Sequence, residues 1–163
     1  MKFVVLTVAL FMSTAAWSQK YADWIVDKQN SEIHIASTRN GDSELGVICF
    51  LNTENCSAYL SIDGLCKEDG FVIPMLINSS IGSLPVTTTC LTIGKIVLQV
   101  ITEFGDAKSA MESGGEVGVA VPLASGKFRV VRFSSNGGAL AIRNAMVLPN
   151  NQKNQSQKRD LIL

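Results

Sequence analysis

The sequence predicts a mostly β fold, a β-sandwich of about eight or nine short antiparallel strands with two short helices in the C-terminal third. Three observations carry this expectation. Apolar residues recur at every second position in many segments, as at Val117, Val119 and Val121. Turn residues such as Asn40-Gly41, Asp63-Gly64 and Ser125-Gly126 cut the chain into strand-length runs. A helical period enters only after residue 103, where Phe104, Ala107 and Met111 fall at i, i+3 and i+7.

Residues 1–18 read as a signal peptide. Lys2 provides the positive start, residues 3–12 are an apolar run, and Ala16-Trp17-Ser18 puts small residues where a signal peptidase reads them, with cleavage expected before Gln19. That run is shorter than the roughly 20 apolar residues a spanning helix needs. No comparable run follows, and no cysteine sits at the cleavage site. Neither a membrane span nor a lipid anchor is therefore expected. The remaining chain of about 145 residues suffices for one domain with its own core. Residues 19–149 are read as a single disulfide-stapled β domain, and residues 150–163, rich in Asn, Gln and Lys, as a disordered polar tail.

The elements follow in order. Residues 21–28, with Trp24 and Val26 alternating with polar neighbours, form the first strand. Residues 32–39 and 44–51 form a hairpin through Asn40-Gly41, pairing Arg39 with Asp42. This register puts Ile33, Ile35, Ile48 and Phe50 on one face, taken as the core. Glu32, His34, Ala36, Leu45, Val47 and Cys49 share the other face. Residues 55–62 continue as a strand. Residues 71–77 carry Pro74, which lacks a ladder donor and points to an edge or a bulge. Residues 78–85 read as a polar loop. Residues 86–93 are rich in β-formers, and residues 95–102, apolar on both faces, read as a central strand. A helix over residues 105–113 stops at Gly114-Gly115, and residues 116–123 and 127–134 return to strand. The second helix is capped by Ser135 or Asn136, shows a stripe of Ala139, Ile142 and Met146, and ends at Pro149.

The four cysteines, Cys49, Cys56, Cys66 and Cys90, make an even set in a chain expected to reach an oxidising compartment. Three connectivities are possible. Cys49 and Cys56 flank the polar loop 52–55 and would sit diagonally on one face of a hairpin, so the preferred pairing is Cys49 with Cys56 and Cys66 with Cys90. No Cys-x-x-Cys spacing exists and the chain has one histidine, so no metal site is expected.

Composition excludes several function classes. Lys and Arg total 14 against 14 Asp and Glu, a balance with no electrostatic footprint for nucleic acid. No Gly-x-Ser-x-Gly elbow is present, and the thiols are consumed in disulfides. Neither Gly114-Gly115 nor Gly137-Gly138 continues as a phosphate loop. No cofactor is expected and no catalytic residue is assigned. The most basic stretch is 127–134, where Lys127, Arg129 and Arg132 interleave with apolar residues and form the candidate binding patch.

The segment Met-Glu-Ser-Gly-Gly-Glu-Val-Gly-Val-Ala-Val-Pro-Leu at 111–123, the strand 127–134, and Gly-Ala-Leu-Ala-Ile at 138–142 resemble the invasion-associated locus B family of exported bacterial proteins. The resemblance implies a non-enzymatic β-sandwich of the periplasm or cell surface, in some members linked to host-cell invasion. The cysteine spacing here lacks the closely spaced pair of that family, and no family site carries over. The expected function is a non-catalytic exported binding or accessory protein, periplasmic or secreted, with a protein partner in the envelope or outside the cell. The alternative is a small periplasmic hydrolase, or an inhibitor of an envelope enzyme, using His34 or the acidic group near Glu103.

Overall fold

The computed structural model describes residues 17–29, 32–66, 68–93, 96–123 and 125–147. Most of the expected signal segment and the expected tail at 150–163 lie outside the described residues. Strands β1 (Trp17–Tyr21), β2 (Trp24–Lys28), β3 (Ile33–Asn40), β4 (Ser43–Phe50) and β5 (Asn55–Ser61) form a meander of adjacent hairpins. A second meander follows, β6 (Val72–Ser79), β7 (Gly82–Ile93) and β8 (Ile96–Ile101). Helix α1 (Phe104–Glu112), strands β9 (Glu116–Pro122) and β10 (Phe128–Ser134), and helix α2 (Gly138–Met146) complete the chain. All strands pair antiparallel in one sheet, ordered β1-β2-β3-β4-β5-β8-β7-β6-β9-β10. The mostly β prediction with two C-terminal helices is what the structure shows. Among the described residues ten strands replace the expected eight or nine, because β1 begins at Trp17 and pairs with β2.

The sheet curls so that β10 lies over β3, while α2 packs on β1 to β4 and α1 on β5, β6 and α2. The enclosed core contains Trp24, Val26, Leu45, Val47, Leu60, Ile77, Met111, Val117, Val119, Phe133 and Ile142, all fully or almost fully buried. Each such large side chain contributes roughly 1.5–3 kcal/mol over its exposed state.

The β3–β4 hairpin reverses the expected core. Asn40 pairs with Ser43 and Arg39 with Glu44, so the two turn residues are Gly41 and Asp42, with Gly41 at φ +58°. Residues 33, 35, 48 and 50 do share a face, but it is the outer one. Ile48 there joins Tyr59 and Leu98 in a separate small cluster, with Ile33, Ile35 and Phe50 packed at its margin. The inner face carries Ala36, Leu45, Val47 and Cys49, which lie in the main core with Ala141 and Ala145 of α2. Close approach of a helix to a sheet favours alanine at the contact, so bulk is a poor guide to the inside here.

Three further expectations change. The segment 78–85 is a tight hairpin: Ser79 pairs with Gly82 around Ser80-Ile81, and Gly82 at φ +122° accommodates the turn. Pro74 lies in an interior strand, yet the rule behind the edge expectation still operates. The β6–β9 ladder covers Leu76↔Ala120 to Asn78↔Gly118, and the same register carried two residues further sets Pro74 against Pro122. Neither proline has an N–H to offer, and the ladder stops. Helix α2 is entered through Gly137 at φ +88°, without a side-chain cap. The Asn136 side chain instead accepts from the Gly115 N–H at 3.2 Å. The buried stripe of α2 is Gly138, Ala141, Ile142 and Ala145, and Met146 is exposed.

Candidate functional site

Strand β10 is the end strand of the sheet, and its side chains alternate between two surfaces. Phe133 points into the core, whereas Phe128 and Val130 stand on the outer face, 65% and 52% exposed. Because of that alternation, Lys127, Arg129 and Arg132 do not make one patch. Arg132 shares the outer face with Phe128 and Val130 and pairs with Glu116 at 2.6 Å. Lys127 and Arg129 project to the opposite side. Arg129 reaches the Asp63 carbonyl at 3.5 Å. On the outer face, Phe128 and Val130 stand opposite Pro122 and Ala120 of β9, and Ala120 pairs in turn with the exposed Leu76 of β6.

The backbone of β10 alternates in the same way. The Leu123 N–H donates to the Lys127 carbonyl at 2.8 Å, and the Ser135 N–H to the Gly115 carbonyl at 3.0 Å. The register between these two points is unbroken, so the odd-numbered residues of β10 bond to β9. The even-numbered ones direct N–H and C=O away from the sheet. Two of them are capped by side chains of β2 and β3. Asn40 Nδ2 donates to the Arg132 carbonyl at 2.8 Å, and Trp24 Nε1 to the Ser134 carbonyl at 2.9 Å. Phe128 and Val130 have no such partner among the described residues.

The other candidate residues have structural positions. Cys49 is bonded to Cys56 and Cys66 to Cys90, with Cα separations of 4.0 Å and 5.7 Å. Cys49 and Cys56 lie directly opposite each other in the β4–β5 ladder, where a diagonal placement was expected. Gln99, 1% exposed, donates through Nε2 to the Cys66 sulfur at 3.0 Å and accepts from the Ile62 N–H at 3.2 Å. Glu103 accepts from the Thr87 N–H at 2.7 Å, and Asp69 from the Thr92 N–H at 2.7 Å, so both carboxylates tie more distant segments to the backbone of β7. Among the described residues no group of three or more His, Cys, Asp or Glu side chains gathers as a metal site. A shallow open depression of about 370 Å³ lies between the helices, lined by Lys108, Glu112, Ala139, Arg143, Met146 and Val147.

The hairpin reading above sets His34 on the face away from the core, and the structure corrects this. It lies on the inner face, 5% exposed, between Lys28 on β2 and Cys49 on β4, with Nδ1 3.1 Å from the Ala145 carbonyl. Burial lowers its pKa from 6.5, and the positive charge of Lys28 acts in the same direction, outweighing the carbonyl bond. Folding thus favours the neutral ring, while an unfolded chain protonates near pH 6.5. Stability from this residue is fully present above that pH and falls as the medium is acidified below it, by at most about 1.4 kcal/mol per pH unit. Urea unfolding between pH 7.5 and 5 should show this decline, and His34→Gln should flatten it. Equal slopes in the two proteins would remove His34 as the source.

Exposed Phe128 and Val130, and the caps from Trp24 and Asn40, escape sequence reading. Alternation identifies a strand but not an end strand, and the caps connect residues about a hundred positions apart.

Comparison with protein-family models, curated proteins and solved structures yields no match. The functional reading therefore rests on the geometry of β10.

Proposed function

We propose that this is a non-catalytic exported binding or accessory protein, periplasmic or secreted, that engages a protein partner through β10. The observation that carries the reading is the pair Phe128 and Val130. Two large apolar side chains stand exposed on an end strand whose other side presents Lys127 and Arg129. Exposed apolar groups beside unneutralised cations suit recognition of another macromolecule. The two disulfides suit an oxidising compartment. No described helix is long and apolar enough to cross a membrane. The likeness of residues 111–123 to the invasion-associated locus B family points the same way, towards an exported protein that acts by contact.

Affinity capture from the native envelope tests this. Reversal of Lys127, Arg129 and Arg132 to glutamate should reduce recovery of the captured partner by about tenfold or more, since charge at an interface governs both encounter and register. Undiminished recovery with the triple variant would remove β10 as the binding element.

A further inference from the structure

The backbone of β10 is sealed at one end and open at the other. The outward carbonyls of Arg132 and Ser134 are occupied by Asn40 and Trp24. The outward N–H and C=O groups of Phe128 and Val130 are not occupied by any described residue. An unpaired strand edge is a template for another strand. We propose that the open half of β10 receives an extended segment of a protein partner as an added strand, one that carries acidic residues alternating with apolar ones. This deepens the reading above and rests on it.

Both side-chain surfaces of β10 define that segment. A strand bonded to Phe128 and Val130 sets its own residues opposite them on the outer face, where 65% and 52% exposure leaves apolar area to cover. The residues between, opposite Lys127 and Arg129, lie on the basic side. No acidic side chain forms an ion pair with Lys127 or Arg129 among the described residues, while Arg132 already has Glu116. Carboxylates facing Lys127 and Arg129 complete the electrostatics.

A second copy of this chain fits poorly for the same reason. Antiparallel pairing of two β10 edges through Phe128 and Val130 places Phe128 opposite Val130 and Arg129 directly opposite Arg129. Like charges at directly opposed strand positions are destabilising.

The test uses full-length oxidised protein and blocked peptides of alternating valine and glutamate, with valine–lysine peptides of equal length as control, measured by fluorescence anisotropy. Val130→Pro removes one outward N–H. It leaves the β9 ladder intact, because that ladder runs through the odd-numbered residues. The valine–glutamate peptide should bind and the valine–lysine peptide should not. Val130→Pro should weaken binding by about tenfold or more, and Arg129→Glu should exchange the preference between the two peptides. A valine–glutamate peptide N-methylated at alternate residues should also fail to bind, a result that holds even if the proline variant folds poorly.

Equal binding of the N-methylated peptide would overturn strand addition in favour of side-chain docking. Equal binding of both charge types, or of neither, would overturn the proposed partner. A concentration-dependent dimer abolished by Val130→Pro would assign the edge to a second copy instead. Charge-sensitive envelope capture alongside any of these results leaves the binding reading standing and removes only strand addition.

Discussion

Gly137→Ala is expected to destabilise the protein by about 4 kcal/mol, against about 1 kcal/mol for Gly41→Ala, although both glycines have positive φ. The difference is packing. A Cβ on Gly41 meets nothing within 4 Å, so only the left-handed backbone is penalised. A Cβ on Gly137 would lie 2.1 Å from the Tyr21 carbonyl oxygen and 3.2 Å from the Ala22 Cβ, so β1 and α2 would have to separate. The adjacent Gly138 is as confined, its added Cβ falling 2.3 Å from the Met111 carbonyl oxygen and 3.2 Å from the Trp24 ring. Gly137 and Gly138 are thus the point where α2, α1 and the β1–β2 turn touch backbone to backbone. Urea unfolding of the two alanine variants checks the claim. Similar losses at both positions would show that φ alone matters and that the corner can relax.

Removal of the Cys66–Cys90 bridge by paired alanine substitution should cost about 3 kcal/mol, and removal of Cys49–Cys56 about 2 kcal/mol. The sequence separations are 24 and 7, so the first bridge restricts the unfolded chain more. Native context acts in the same direction. Cys49 and Cys56 join strands already held by a seven-pair ladder from Glu44↔Ser61 to Phe50↔Asn55. Cys66 and Cys90 join the segment after β5 to β7, strands separated by β8, and their loss deprives Gln99 of its sulfur partner. Denaturant titration of both variants, with non-reducing peptide maps to verify the remaining bridge, measures the difference. A larger loss from the Cys49–Cys56 variant would contradict the argument.

Much of this architecture was legible in local pattern. The alternation of Val117, Val119 and Val121, the hairpin signal near Asn40-Gly41, and the change of period at Phe104 each depend on neighbours in sequence, and each corresponds to an observed element. What local pattern cannot convey is which face another element covers. Ile33, Ile35, Ile48 and Phe50 are bulkier than Ala36, Val47 and Cys49, yet α2 lies over the smaller set. His34 follows the same logic, since its burial comes from a helix more than a hundred residues away. In the candidate site the basic stretch 127–134 was visible, but its division between two faces, the Glu116 pair and the open edge at Phe128 and Val130 all depend on where the sheet ends.

The meeting of Pro74 with Pro122 has a consequence for how the molecule comes apart. With the ladder halted there, β6 and β9 share only the pairs from Leu76↔Ala120 to Asn78↔Gly118, and β5 and β8 share only Ala58↔Ile101 to Leu60↔Gln99. By backbone pairing, one continuous sheet thus divides into three locally connected groups, β1 to β5, β6 to β8, and β9 with β10, joined by two short ladders and by the shared core. The Cys66–Cys90 bridge spans the β5–β8 junction covalently. The second has no disulfide across it, so β9 and β10 depend on that short ladder, on side-chain packing and on the caps from Trp24 and Asn40 to stay docked.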